Sequence, residues 1–190
     1  MNRIPLNAPN VLTLLRLALV PVVAVLGYFD YMIPALAVYL LACGTDLLDG
    51  YLARKYKLIT DAGILLDPLA DKLMAIFTVM AFMVTGVLPW PILVVMLVKE
   101  GLMIGGGILL YSHGVVAPAN TFGKIAAFTL NTSIAFTFLH HVVQPRPDMI
   151  PWHIYFVYFG LALMVLALFQ YAYFNAYLQL KGKKQTEKKD

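Results

Sequence analysis

Apolar residues gather into six stretches along the chain, at about 11–29, 33–52, 67–86, 89–111, 121–142 and 151–178. Crossing a hydrocarbon core about 30 Å thick takes roughly 20 helical residues, and each stretch is near that length. The polar residues between them fall into two kinds. One set of connections is short, around Asp30, at Gly86 to Pro89 and at Gln144 to Pro151, where Pro145, Pro147 and Pro151 oppose helix. The other set is more polar. It comprises Lys55 to Leu66, a 12-residue connection, and Ser112 to Asn120, with Asn120 or Thr121 placed to cap the fifth helix. The pattern predicts an all-α integral membrane bundle of six transmembrane helices within residues 1–180, followed by a basic tail, 181–190, expected to be solvated and mostly disordered.

Composition supports lipid as the solvent. Hydrophobic residues make up 61% of the chain and charged residues 13%, with a mean hydropathy of +0.79; soluble domains carry about twice that share of charge, near 25%. In a six-span thread, Arg3, Arg54, Lys55, Lys57 and the tail lysines Lys181, Lys183, Lys184, Lys188 and Lys189 share the side of the N-terminus, against Arg146 on the other. Lys and Arg accumulate on the cytoplasmic side, so both termini are expected there, in a multi-pass protein of the cytoplasmic membrane. The first stretch reads as a retained helix rather than a signal peptide, because it is long and contains Arg16 and Pro21. A single cysteine, Cys43, excludes an internal disulfide and a thiolate metal cluster. Nothing in the pattern calls for nucleic acid.

The acids are unevenly spread. Of eight aspartates, Asp46, Asp49, Asp61, Asp67 and Asp71 lie within 26 residues. Asp46 and Asp49 are three apart and Asp67 and Asp71 four apart, so each pair occupies one helix face, and antiparallel helices would bring the pairs together. Four carboxylates near a membrane face repel one another and resist burial unless cations neutralise them. Oxygen ligands without His or Cys select hard cations, Mg²⁺ or Mn²⁺, and two such ions across a phosphate suit phosphoryl transfer. Gly50, Ala53 and Gly63 leave room for a bulky group, and Arg54 offers a bidentate fork to phosphate. The alternative is that the acids pair with Arg54, Lys55, Lys57 and Lys72 in an ion-coupled transporter.

The order Asp46, Asp49-Gly50, Ala53-Arg54, Gly63, Asp67, Asp71 matches D-x2-D-G-x2-A-R-x8-G-x3-D-x3-D position for position. By that string the chain resembles the CDP-alcohol phosphotransferase family. The opening NAPNVLTLLR (7–16) is similar to the start of bacterial members that make phosphatidylglycerol phosphate and of related cardiolipin synthases, and LLDPLADK (65–72) is similar too. The likeness covers roughly residues 5 to 130. It implies that Asp46, Asp49, Asp67 and Asp71 bind a di-metal centre and that Asp71 is also the general base. It further implies that Gly50, Ala53 and Arg54 bind the CDP moiety, with Thr60 and Gly63 beside the diphosphate and Asn10 and Thr13 at the same pocket, and that the protein is a homodimer. The implied donor is CDP-diacylglycerol, attacked at its β-phosphorus by an alcohol with CMP leaving.

For the acceptor, Lys99 and Glu100 interrupt an apolar run near its middle, and intramembrane charge is costly enough to signal function. With Lys124, Arg16 and Lys72 they read as a basic pocket for an anionic head group, which favours glycerol 3-phosphate. The bacterial enzymes usually show Arg-Glu where this chain has Lys99-Glu100, which keeps cardiolipin synthase, with phosphatidylglycerol as acceptor, as the rival within the family. Gly105 to Gly107 read as a packing feature and His140-His141 as residues of the outer end.

Overall fold

A computed structural model describes residues 8–56, 61–112, 121–143 and 151–186. Within them run α1 (Ala8–Tyr28), α2 (Met32–Tyr56), α3 (Asp61–Val84), α4 (Trp90–Ser112), α5 (Thr121–Val143) and α6 (Trp152–Thr186). Five of these are long and apolar enough to cross a membrane, over Asn10–Tyr28, Met32–Leu52, Trp90–Leu110, Thr121–Val143 and Trp152–Phe174. The exception is α3. Its 24 residues would extend about 36 Å at 1.5 Å each, but Asp61, Asp67, Asp71 and Lys72 crowd its first half.

Two boundaries differ from the sequence expectation. α2 continues to Tyr56 and α3 already begins at Asp61, so the connection is far shorter than 12 residues. Polarity in 55–66 suggests a loop, yet Lys, Tyr, Asp and Leu all tolerate helix; only glycine and proline strongly oppose it. Pro68 then falls inside α3, where its missing N–H removes one bond of the helical ladder. At the other end α6 runs through Thr186, so the first six residues of the basic tail extend a helix rather than forming disordered chain. Lysine and glutamine propagate helix well. Arg3, Lys57, Lys188, Lys189 and the whole of 113–120 and 144–150, with His113 and Arg146, lie outside the described residues.

Tight turns close the ends. Asp30, at φ 63°, links α1 to α2, and Gly86, at φ 78°, links α3 to α4; glycine takes this left-handed backbone without a side-chain penalty, and aspartate is among the few other residues that tolerate it. α1 packs against α2 and α3, α5 against α6, α2 against α5, and α4 against α3 and α6. The core between them holds Val23, Tyr39, Val79, Phe82, Ile92, Ile134, Phe138 and Val157, with the Phe82 and Phe138 rings edge to face at 4.5 Å. α5 and α6 approach so closely that a Cβ on Gly160 would stand 3.0 Å from the Leu130 Cα. Leu40, Val98, Ile108, Phe128 and Phe169 point outward, which suits a surface solvated by lipid rather than water.

The polar residues divide between the two ends. Asp30, in the α1–α2 turn, pairs with His141 near the end of α5 at 3.1 Å, and the His140 and His153 rings lie 4.0 Å apart. The acids converge toward the opposite end, where α1 begins, α2 finishes and α3 begins.

Candidate active site

On α1 the residues Asn10, Thr13, Arg16, Val20 and Val23 form one buried stripe, spaced by three and four as a helix facing the bundle requires. Its polar end meets the acids. Arg16 is 1% exposed, and its guanidinium reaches three of them at once: Nη1 to Asp71 Oδ1 at 2.6 Å, Nη2 to Asp46 Oδ1 at 3.0 Å, and Nη2 to Asp49 Oδ2. The fourth carboxylate, Asp67, accepts a hydrogen bond from the Thr13 hydroxyl. α2 and α3 thus deliver their paired aspartates to one point, as the spacing within each helix demands, and α1 supplies the residues they gather around.

One guanidinium against four carboxylates leaves this group strongly anionic, and Asp49 is only 2% exposed. Burying unbalanced negative charge is costly. Among the described residues no three acidic, thiol or imidazole side chains already stand as a metal-ligand set; the carboxylates ring the guanidinium instead. The donor chemistry nevertheless fits a hard divalent cation, since the ligands are oxygen alone and carry excess negative charge. Gly63 is buried on the same side and Gly50 half-buried. Ala53 and Arg54 sit in the last turns of α2, with their side chains outside the described set, and Thr60 lies outside the described residues altogether.

A second charged group adjoins the first. Glu100 is held by two lysines, Lys72 from α3 and Lys99 from its own helix, each with Nζ 2.6 Å from a carboxylate oxygen. Lys99 is 7% exposed. These residues, with Lys124, line a cavity of about 430 Å³ between α3, α4, α5 and α6, whose wall is otherwise mostly apolar and includes Met96, Met103, Met164 and Leu168. Three lysines against Glu100 give it an excess of positive charge. A second cavity, of about 290 Å³, lies between α2 and α5 and is lined by Arg16, Tyr39, Cys43 and Asp46. Asp71 lines both cavities.

The geometry separates residues that the sequence reading had grouped. Lys72, Lys99 and Lys124 come together, but Arg16 belongs with the aspartates and lines the other cavity. Its place is set by electrostatics: the acids offer it three partners, whereas the lysines would repel it. Asn131 also lines both cavities, and the sequence reading missed it. The available signal was a carboxamide midway along an apolar helix, two turns after Lys124 on the same face.

Comparison with known proteins extends the match beyond the motif. The family model for CDP-alcohol phosphatidyltransferase matches residues 6–172, further than the 5–130 read from the sequence. A Bacillus subtilis protein named CDP-diacylglycerol--glycerol-3-phosphate 3-phosphatidyltransferase is 31% identical over 166 residues, covering 77% of this chain and 86% of its own length. A Rickettsia prowazekii protein of the same name is 35% identical over 130 residues, covering 66% of this chain and 71% of its own. A Schizosaccharomyces pombe fusion of CMP-forming cardiolipin synthase with a mitochondrial hydrolase is 34% identical over 125 residues, 66% of this chain and 21% of that protein. The ion-coupled transporter considered from the sequence gives way to this match. The chain belongs to the CDP-alcohol phosphatidyltransferase family.

Proposed function

We propose that this protein transfers the phosphatidyl group of CDP-diacylglycerol to glycerol 3-phosphate, giving phosphatidylglycerol phosphate and CMP. The observation that carries the reading is the position of Asp71 on the wall shared by an anionic and a cationic cavity. An acceptor phosphate is attracted by Lys72, Lys99 and Lys124, which places its hydroxyl toward Asp71. Asp71 takes the hydroxyl proton as general base while the oxygen bonds to the β-phosphorus. The bond from that phosphorus to the oxygen bridging toward CMP then breaks, and CMP departs with the electron pair.

The residues that would hold metal are Asp46, Asp49, Asp67 and Asp71, as the family resemblance implies. Two Mg²⁺ or Mn²⁺ ions there would supply charge neutralisation for the phosphate oxygens and the departing CMP. Asn10, Thr13, Gly50, Ala53, Arg54, Thr60 and Gly63 are the proposed CDP site. Arg16, placed by its ion pairs rather than by the acceptor pocket, holds the aspartates in register. The same reading takes α3 as a sixth span, puts both termini and the active site on the cytoplasmic side of the cell membrane, and makes the protein a homodimer.

Cardiolipin synthesis is the second reading, favoured by the S. pombe relative's printed name and by the apolar part of the larger cavity. Purified protein in detergent, given CDP-diacylglycerol and Mg²⁺, is expected to release CMP with glycerol 3-phosphate. Asp71→Asn should lower that rate by about 10²- to 10⁴-fold, the usual contribution of a positioned base. Release with phosphatidylglycerol and not with glycerol 3-phosphate would replace the first reading by the second. No release with either acceptor would sink both.

A further inference from the structure

The two cavities share one polar side chain besides Asp71. Asn131 comes from α5, the helix opposite α2 and α3 across the site, and lines both spaces. The Tyr39 hydroxyl, from α2, stands 3.3 Å from the Asn131 backbone carbonyl oxygen and 3.5 Å from its side-chain Oδ1. Tyr39 is 1% exposed, and its ring is wedged against Phe138 at 5.7 Å. That packing holds the hydroxyl in place.

A carboxamide carries one acceptor oxygen and two N–H donors. With Oδ1 facing the tyrosine hydroxyl, the amide nitrogen is the part left to meet a ligand, and it can only donate. At the junction of an anionic and a cationic chamber the group needing donors is a phosphate whose non-bridging oxygens gain charge during transfer. Lys124 stands two turns earlier on the same helix and Lys72 and Lys99 come from α3 and α4, while Asp71, on the shared wall, repels such oxygens. A neutral donor there has an electrostatic reason: Asp71 already has one cationic partner in Arg16, and a second would lower its basicity further, whereas an amide donates without adding charge.

The geometry points to Asn131 as a substrate-binding residue that donates from Nδ2 to a non-bridging oxygen of the donor's β-phosphate at the junction of the two cavities, with Tyr39 as the positioning residue that orients its carboxamide. The inference deepens the proposed phosphatidyl transfer and rests on it. It gives α5, which already supplies Lys124, a second residue of the site. It also gives Tyr39, buried in the core, a reason to be tyrosine and not phenylalanine.

The experiment measures kcat and KM separately for CDP-diacylglycerol and glycerol 3-phosphate by CMP release, in the wild type and in Asn131→Asp, Asn131→Ala and Tyr39→Phe. Each variant is also followed by thermal unfolding in detergent. Asn131→Asp is nearly isosteric but exchanges the donor for a charged acceptor, so kcat should fall by about 100-fold or more, the cost of losing one preorganised donor. Asn131→Ala should fall almost as far, with little change in the KM for glycerol 3-phosphate. Tyr39→Phe should lose about threefold to tenfold in kcat, because the carboxamide stays but is free to turn. If Asn131→Asp does not fold, the alanine and phenylalanine variants carry the decision. Wild-type activity with all folded variants within twofold of it would overturn the role of Asn131 while leaving phosphatidyl transfer intact. Absence of wild-type activity would instead remove the reading on which the inference stands.

Discussion

The two charged groups of this bundle are built alike and charged oppositely. In one, three carboxylates surround a single guanidinium and Thr13 holds a fourth beside them; in the other, three lysines accompany a single glutamate. Each has a resident counter-ion that lowers the cost of burial without cancelling the excess. Arg16 is more deeply buried than each acid it pairs with, and Glu100 than Lys72 though not than Lys99. An excess that survives in the folded protein leaves a binding preference, for cations at the first group and for anions at the second. Asp71 and Lys72 are consecutive in the chain and belong one to each, so the helix that carries them couples the two preferences.

That contrast can be broken at its anionic side with the largest effect. Asp49 is the most buried of the four acids for which exposure is described, and Asp49→Asn should abolish CMP release and weaken Mn²⁺ binding, read by paramagnetic relaxation or calorimetry. Chelation of divalent ions from the wild type should have the same effect on activity, restored by Mg²⁺. Unchanged Mn²⁺ affinity in Asp49→Asn would mean that the carboxylates serve structure rather than cations. On the cationic side, Lys124→Ala removes a charge that makes no ion pair among the described residues. It should raise the KM for glycerol 3-phosphate by about 10- to 100-fold, the equivalent of one charge-assisted hydrogen bond, and leave Mn²⁺ affinity unmoved. A rise in the KM for CDP-diacylglycerol instead would assign the lysine cavity to the donor.

The smallest expected effect sharpens the comparison from a distance. Gly160→Ala places a methyl 3.0 Å from the Leu130 backbone, which should cost about 1–3 kcal/mol of stability through overpacking. The strain falls on the α5–α6 seam beside the lysine cavity, so acceptor KM should shift while metal affinity holds. Equal shifts in both would show that the two groups do not move independently.

Much of the site was legible because its spacing is local. Asp46 with Asp49, and Asp67 with Asp71, share a helix face whatever the rest of the chain does. The motif's order needed no tertiary information, and it carried the family assignment. The start of α3 was misjudged for a related reason: polarity marks exposure or function, not the end of a helix, and Asp61 through Leu66 have no strong breaker but Gly63. Asn131 escaped notice because a lone carboxamide in an apolar run belongs to no motif, and its two-turn spacing from Lys124 marks a shared face but no chemistry. Its partner is Tyr39, 92 residues away.

The sequence by itself determined that the chain is helical, that its apolar stretches are long enough to cross a membrane, and that its acids carry the motif of a known family. Those properties follow from composition and from intervals within a turn or two of helix. Only the tertiary structure decided that Arg16 sits among the acids, 55 residues from Asp71, and that Lys72 reaches across to Glu100. It likewise decided that Asp71 and Asn131 stand where two cavities meet. The physical reason is that charge seeks charge through space, and which charges become neighbours depends on how helix faces pack.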